Sequence, residues 1–323
     1  MGYARILIDC SSLYHAAYNT SKHLTFKIPT GETVVTGGIY TFIKMVQKLD
    51  RDYLNVGGNF YFLFDNTTAV EYRRKDLDPE YKINRRKQEP VFYQGLNFLQ
   101  MILMSYQKGN FVFQNPGSEA DDLVSILLGV FPPEEKILLV SRDLDWARGI
   151  GPNVDWLTKV DKADVVVDLA KFKELHGYTP SRRSICLYKA FRGDVSDGIP
   201  NAVPNLPEDV LCRLAEEPYD IKELVRRIKL DEFTYLSKTF KEKTLANEGR
   251  LMLNYRLVDY LTPPAEDVSD NILRTEYNPT TLVRLYKNLG FDAAKLDPRP
   301  EVQPPKPKAG IDKLFKFADY ERA

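Results

Sequence analysis

The sequence lacks an excess of charge of either sign. Its 323 residues contain 45 Lys and Arg against 45 Asp and Glu, so bulk charge gives no sign of nucleic-acid binding. Any such case has to come from local clusters. Cysteine is scarce. Cys10, Cys186 and Cys212 are too few and too scattered for a disulfide framework or a zinc site, and they read as buried, reduced thiols of a cytoplasmic protein. No apolar run approaches the roughly 18 residues needed to span a bilayer. The N-terminus, Met1-Gly2-Tyr3-Ala4-Arg5, leads straight into a strand without a signal-peptide pattern. Internal repeats are also missing. What remains is an ordinary globular composition, 43% hydrophobic and 28% charged. The length suits one large domain, or a catalytic core with a smaller lobe.

Three short apolar runs end in an acid: residues 4–9 (Ala-Arg-Ile-Leu-Ile-Asp), residues 60–65 (Phe-Tyr-Phe-Leu-Phe-Asp), and Ile137-Leu138-Leu139-Val140 running into Ser141-Arg142-Asp143. Apolar runs without alternation fit parallel strands covered on both faces. Helical periodicity predicts helices over 39–49, 93–106 and 119–130, with Gly37-Gly38 at the start of the first. Strands alternating with helices predict a mostly parallel, doubly wound α/β sheet. From about residue 180 the chain reads as helical, without a convincing strand, and helices are expected near 208–216, 221–228, 247–260 and 280–289. Five prolines between 298 and 307 predict an extended linker. The expected organisation is therefore an α/β core over 1–180, a helical lobe over 181–296, and a linker with a terminal peptide over 297–323.

In open α/β sheets, sites form at the carboxyl ends of the strands. Asp9, Asp65 and Asp143 should therefore share one crevice. Glu119-Ala120-Asp121-Asp122 opens the helix before the third strand, Asp145 follows Asp143, and Asp194 and Asp197 lie in Arg192-Gly193-Asp194-Val195-Ser196-Asp197-Gly198. Any one of these acids alone reads as a loop residue or a helix N-cap. Together they would repel one another unless a cation neutralised them. All-oxygen ligands suit Mg²⁺ or Mn²⁺, and two such ions about 4 Å apart clamp the attacking and leaving oxygens in phosphodiester hydrolysis.

Ile8-Asp9, Phe64-Asp65-Asn66, Glu119-Ala120-Asp121-Asp122, Ser141-Arg142-Asp143-Leu144-Asp145 and Gly193-Asp194-Val195-Ser196-Asp197-Gly198-Ile199-Pro200 resemble, in order, the signature blocks of the 5′-nuclease superfamily. That superfamily includes flap endonucleases, the 5′-nuclease domain of bacterial DNA polymerase I and phage 5′–3′ exonucleases. The resemblance covers about residues 4 to 204 and is nearest to stand-alone phage enzymes, including phage RNase H. It implies a PIN-like α/β core, a helical arch at about 71–92 and a C-terminal helical lobe. By resemblance, Asp9, Asp65, Glu119 and Asp121 would hold a first Mg²⁺, and Asp143, Asp145 and Asp197 a second, with Asp194 close by. Asp122 would act through water or span both sites. Mn²⁺ would substitute.

Residues 81–88 hold four cations and no acid. By charge alone they are a solvated helix face, but Tyr81-Lys82-Ile83-Asn84-Arg85 resembles the family's arch segment above the metals. Hydrolysis builds charge on the scissile phosphate, which a nearby cation stabilises. Lys82 and Arg85 are the candidates, with Arg86 third. Tyr81 is equally a base-stacking residue or a packed core tyrosine. Arg73 and Arg74 would touch backbone phosphates. Lys189, Arg192, Arg226, Arg227, Lys238, Lys241 and Lys243 are candidates for a basic face on the helical lobe, or ordinary surface charge.

The pattern departs after Asp197. The family's Gly-x-x-Gly-Ile-Gly hairpin grips duplex and often holds potassium. Here the chain reads Ile199-Pro200-Asn201-Ala202-Val203-Pro204-Asn205-Leu206-Pro207. Proline removes backbone donors, which puts the K⁺ site in doubt. Near the C-terminus, Ile311, Leu314, Phe315 and Phe317 form an apolar cluster that resembles sliding-clamp-binding peptides, or else a last helix packing on the core.

The resemblance implies a monomeric nuclease in a bacterial or phage-infected host cytoplasm. Its substrates would be DNA with a 5′ flap, nick or end, with RNA–DNA hybrids a further class. A sliding clamp or single-strand-binding protein would be a partner, and no membrane is involved. The alternatives are a PIN-like RNase, which the additional acids Asp143 to Asp145 and Asp194 to Asp197 argue against, and a catalytically silent DNA-binding protein, which a missing acid would favour.

Overall fold

The computed structural model describes residues 2–28, 30–65, 70–84, 88–106, 111–114, 119–260, 272–292 and 296, with the side chains of 70–73, 113–114 and 272 outside the description. The first strand, β1 (Tyr3–Asp9), carries Ile6, Leu7 and Ile8 at zero exposure. Burying such side chains stabilises by about 1.5–3 kcal/mol each. Ile6 and Ile8 belong to one hydrophobic cluster and Leu7 to another, as period-2 geometry demands of a strand covered on both faces.

Chain order then gives α1 (Cys10–Ser21), the hairpin β2 (Thr25–Lys27) and β3 (Thr33–Val35), α2 (Thr36–Tyr53), β4 (Leu54–Phe64), α3 (Val70–Leu77), α4 (Pro90–Tyr106), β5 (Phe111–Gln114), α5 (Ala120–Val130), β6 (Ile137–Val140), β7 (Val154–Val160), β8 (Ala163–Val167) and α6 (Leu169–His176). A helical run follows: α7 (Arg182–Arg192), α8 (Glu208–Glu216), α9 (Ile221–Lys229), α10 (Lys238–Ala246) and α11 (Glu248–Val258). Last come β9 (Ile272–Arg274) and α12 (Pro279–Asn288). Among the described residues, no helix is long and apolar enough to cross a membrane.

The main sheet has the order β8-β7-β6-β1-β4-β5-β9. Strands β7, β6, β1, β4 and β5 are parallel, and β8 and β9 add antiparallel edges. The predicted doubly wound sheet is present. The three acid-ended strands β6, β1 and β4 are immediate neighbours. In register, Ile8 lies level with both Phe62 and Val140, and Asp9 level with Leu63. Asp9, Asp65 and Asp143 therefore emerge at one edge. Gly37-Gly38 lies in the first turn of α2, where a Cβ on Gly38 would stand 3.0 Å from Tyr18 Cα. The two glycines let α1 and α2 pack closely.

The helical lobe expected over 181–296 needs one correction. Helices α7–α11 form their own core around Leu187, Leu211, Leu224, Val225 and Leu251. Residues 272–292 do not join it. Strand β9, absent from the sequence-based expectation, pairs with β5, and Leu282, Leu285 and Tyr286 of α12, with Leu289 just beyond it, pack into the α/β cluster with α4. Three residues are too short a run to show a period, and their strand state is set by the partner edge. The linker and the terminal peptide 297–323, with Ile311, Leu314, Phe315 and Phe317, lie outside the described residues.

Candidate active site

Asp9 caps α1, its Oδ1 accepting from Ser12 N at 2.9 Å. Its Oδ2 accepts from Ser141 Oγ at 2.6 Å, and the same Oγ accepts from Asp143 N at 3.0 Å. One buried hydroxyl thus spaces two acids from adjacent strands. Asp143 Oδ1 accepts from Asp145 N at 3.0 Å, turning the chain into a 3-10 segment, Leu144–Gly149. Asp65 Oδ1 accepts from Ala120 N at 2.9 Å, which pins the end of β4 to the N-terminus of α5. Two positive-φ glycines frame the last two acids, Gly193 (φ 78°) and Gly198 (φ 73°). Closing the loop, Asp194 and Ile199 exchange backbone hydrogen bonds, both 2.8 Å. A Cβ on Gly193 would meet Ile199 O at 2.5 Å, so only glycine permits this tight closure.

Four cations thread the acids into one network. Lys82 Nζ donates to Glu119 Oε1 at 2.5 Å and lies 3.7 Å from Asp197 Oδ2. Arg74 Nη1 donates to Glu119 Oε2 at 2.7 Å and Nη2 to Asp122 Oδ1 at 3.3 Å. Arg148 pairs with Asp121 and stands 3.6 Å from Asp145 Oδ2. Lys189 pairs with Asp145 and donates to Asp194 Oδ2 at 2.7 Å. These cations reach Glu119, Asp121, Asp122, Asp145, Asp194 and Asp197, while Ser141 and backbone amides hold Asp9, Asp65 and Asp143.

The electrostatics follow from burial and crowding. Burial, with the charges of Asp65 and Asp143, pushes the Asp9 carboxyl up to about 8. Burial and Asp145 push Asp143 up to about 6. Burial raises Asp121 well above the usual range, with Asp122 adding to it and Arg148 opposing. Burial also works against the ionisation of Asp145, but Arg148 and Lys189 outweigh it and hold this acid at about 2. The four internal cations thus compensate part of the set, and Asp9 and Asp143 retain a deficit of positive charge. The donor set consists of carboxylate oxygens, which fits a hard divalent cation. Among the described residues no three acids form a ready-made metal cage. Their oxygens are shared out among Ser141, backbone amides, Lys and Arg.

Several expected roles change. Tyr81 is 2% exposed, and its hydroxyl donates to Asp197 Oδ2 at 2.9 Å. It is a packed residue, with no free face for a base. Arg74, expected on phosphates, is equally buried and held by acids. Lys189, expected on an exposed basic face, points into the pocket at 6% exposure. Of the other cations named for that face, Arg192 pairs with Glu208, Arg226 with Glu223, Arg227 with Glu223 and Glu232, and Lys241 with Asp231, so much of their charge is locally compensated. Asp122 has zero exposure. Its Oδ2 accepts from Glu119 N at 3.2 Å and its Oδ1 from Arg74, so it acts here as a buried helix-capping acid. Arg73 belongs to α3, but its side chain lies outside the description, as do Arg85 and Arg86 entirely.

The proline-bearing stretch after Gly198 uses its amides internally. Ala202 N donates to Phe191 O at 3.0 Å, Val203 N to Asn201 Oδ1 at 2.9 Å and Leu206 N to Val203 O at 3.3 Å. Ala202, Val203 and Leu206 plug the helical core. Sequence reasoning missed Ser141 and Arg148. The small polar residue directly after β6 was the available signal for Ser141; the burial of Arg148 has no local sequence signature.

A family model described as the 5′-3′ exonuclease, N-terminal resolvase-like domain, matches residues 4–177, more than half of the chain. The protein belongs to this family. A 5′-3′ exonuclease from Mycoplasmopsis pulmonis is 28% identical over 195 residues, covering 60% of this chain and 60% of that protein. The chain therefore matches less than two thirds of that relative's length. The flap endonuclease Xni of Vibrio cholerae is 26% identical over 205 residues, 61% of this chain and 76% of Xni. The crystal structure of the D15 flap endonuclease of bacteriophage T5, in a complex with DNA and metal ions, superposes with a TM-score of 0.61 at 19% identity, covering 88% of this chain and 97% of that one. At that identity the likeness speaks for the fold.

Proposed function

We propose that the protein is a divalent-metal-dependent 5′-nuclease that hydrolyses phosphodiester bonds near 5′ ends and single-strand/duplex junctions of DNA. The observation that carries the reading is the convergence of strand-end acids Asp9, Asp65 and Asp143 with Lys82, whose ammonium lies between Glu119 and Asp197. Family membership and the names of the relatives, an exonuclease and a flap endonuclease, agree with it.

Asp9, Asp65, Glu119 and Asp121 would hold one Mg²⁺, and Asp143, Asp145 and Asp197 a second, with Asp194 orienting Lys189. Asp122 is left out of the ligand set because its oxygens are engaged and it is fully buried. Bound divalent cations supply Lewis-acid stabilisation of phosphoryl charge and lower the pKa of water. The chain's own groups do the rest. Ser141 holds Asp9 and the Asp143 backbone in one geometry. Lys82 presents a cation where charge grows on the scissile phosphate. Lys189 and Arg148 keep Asp145 ionised. The amides of Ile199, Ala202, Val203 and Leu206 are already engaged, which supports a weaker backbone grip on duplex and leaves a K⁺ site there in doubt. On its resemblance to clamp-binding peptides, the terminal segment would bind a sliding clamp.

The test is cleavage of flap, nicked, gapped and RNA-primed duplexes with Mg²⁺ and with chelator. Asp143→Ala and Asp194→Ala should lose cleavage and keep DNA binding. Cleavage that persists in chelator, or at the unaltered rate in Asp143→Ala, would refute the reading.

A further inference from the structure

Two buried arginines outside the acid set join the helical lobe to the pocket. Arg74 lies in the last turn of α3 at 2% exposure, and Arg148 follows β6 at 5%. An α-helix leaves its last four carbonyls without intrahelical partners. At the end of α11, Asp259 N satisfies Tyr255 O at 3.1 Å. The carbonyls of Leu257, Val258 and Asp259 are met by guanidinium groups. Arg74 Nε donates to Leu257 O at 3.0 Å and Nη2 to Asp259 O at 3.2 Å, while Arg148 Nη1 donates to Val258 O.

The remaining donors of the same two groups turn to the acids at the start of α5. Arg74 holds Glu119 at 2.7 Å and Asp122 at 3.3 Å, and Arg148 holds Asp121 and, through Nε, the Asp145 carbonyl at 2.9 Å. The Tyr260 ring packs 4.0 Å from the Arg148 guanidinium carbon. A guanidinium is a planar fork with fixed donor directions, and a cation is favoured at a helix C-terminus. Fixing one side of each fork on main-chain carbonyls therefore fixes where its other side can hold a carboxylate.

We infer that Arg74 and Arg148 are positioning residues through which the end of α11 sets the orientation of the α5 carboxylates, so that the pocket's affinity for divalent cations depends on the seating of the helical lobe. The inference rests on the metal-dependent reading above. Groups that orient metal ligands from behind change metal affinity by about 10–100-fold when altered.

The full-length chain, Arg148→Lys and Tyr260→Leu are compared by calorimetric titration with Ca²⁺, by thermal unfolding, and by kcat and KM for flap cleavage in Mg²⁺. Arg148→Lys keeps the charge and loses the fork. It should weaken Ca²⁺ binding about tenfold and lower kcat more than it alters KM. Tyr260→Leu removes the ring behind Arg148, which also lies 5.4 Å from the Arg182 guanidinium carbon, without touching any acid-holding donor, and should shift Ca²⁺ affinity in the same direction by a smaller factor. It decides the matter alone if Arg148→Lys does not fold. Lower thermal stability with unchanged Ca²⁺ affinity in both variants would make the arginines structural cement and overturn the inference. Tighter Ca²⁺ binding would make Arg148 a competitor for the site and overturn it equally. Failure of the unaltered protein to bind Ca²⁺ would instead sink the metal-dependent reading itself, and the inference with it.

Discussion

Lys82 and Asp197 meet twice. The Lys82 amide donates to the Asp197 carbonyl at 2.8 Å, and its ammonium stands 3.7 Å from Asp197 Oδ2. The turn after α3 is thereby stitched to the loop after α7, with Lys82 in a left-handed conformation (φ 55°) that a non-glycine residue adopts only under constraint. Gly198, also left-handed, lies beneath it, where a Cβ would approach Glu80 O at 3.4 Å.

That arrangement predicts the outcome of Lys82→Ala. The ammonium is removed and the backbone bond to Asp197 stays. Loss of a preorganised cation at developing charge costs on the order of 10²–10³ in rate. Single-turnover cleavage should fall by that factor, with DNA affinity changed little. A rate within threefold of the unaltered protein would exclude Lys82 from the chemistry.

The raised acids predict how pH and metal act together. Asp9 is pushed up to about 8 and Asp143 to about 6 by burial and neighbouring acids, against about 3.9 in an unfolded chain. Between these values the unfolded state releases protons that the folded state retains, so folding of the metal-free protein weakens as pH rises from about 4 to about 8. A divalent cation replaces the proton as the neutralising charge. The thermal midpoint of the chelated protein should fall across this window, and the increase produced by Mg²⁺ should widen with pH. A Mg²⁺ increment that is flat from pH 5 to 8 would contradict the assignment.

Much of this pocket was legible because it is built at strand ends. Ile6-Leu7-Ile8 and Phe60 to Phe64 are buried on both faces, so they read as unbroken apolar runs, and parallel topology then brings Asp9, Asp65 and Asp143 to one edge. The amphipathic helices α8 and α9 were legible from their 3.6-residue stripes. Strand β7, Val-Asp-Trp-Leu-Thr-Lys-Val, was not. Its polar Asp155, Thr158 and Lys159 break the apolar run, and it forms through pairing with β6 and β8. The arginines were illegible for a different reason. Arg74 joins partners at 119, 122, 257 and 259, and no local pattern marks a contact across more than 180 residues. Its basic neighbours made it look like a phosphate contact, when it is buried at 2% exposure.

Tyr81 offers a clean separation of packing from recognition. Its hydroxyl donates to Asp197 at 2.9 Å and its ring is buried. Tyr81→Phe keeps the ring and removes one hydrogen bond, which costs about 1 kcal/mol. The thermal midpoint should drop modestly, and cleavage should stay within a few fold. A base-stacking role would instead leave stability unchanged in Tyr81→Phe, and Tyr81→Ala would lose DNA affinity at unchanged stability.

The terminal peptide Ile311 to Phe317 follows a stretch with five prolines between 298 and 307. Such a composition reads as a linker. A short apolar peptide on such a spacer gains from tethering: binding a clamp raises the local concentration of enzyme at a junction without adding any contact at the acids. Removing residues 309–323 should therefore leave distributive cleavage of a short flap substrate unchanged, because the described acids, Lys82 and the arginines all lie before residue 261. It should abolish stimulation by the cognate sliding clamp. Stimulation that survives the deletion would assign these residues to packing on the core, and a matching loss of thermal stability would identify that role.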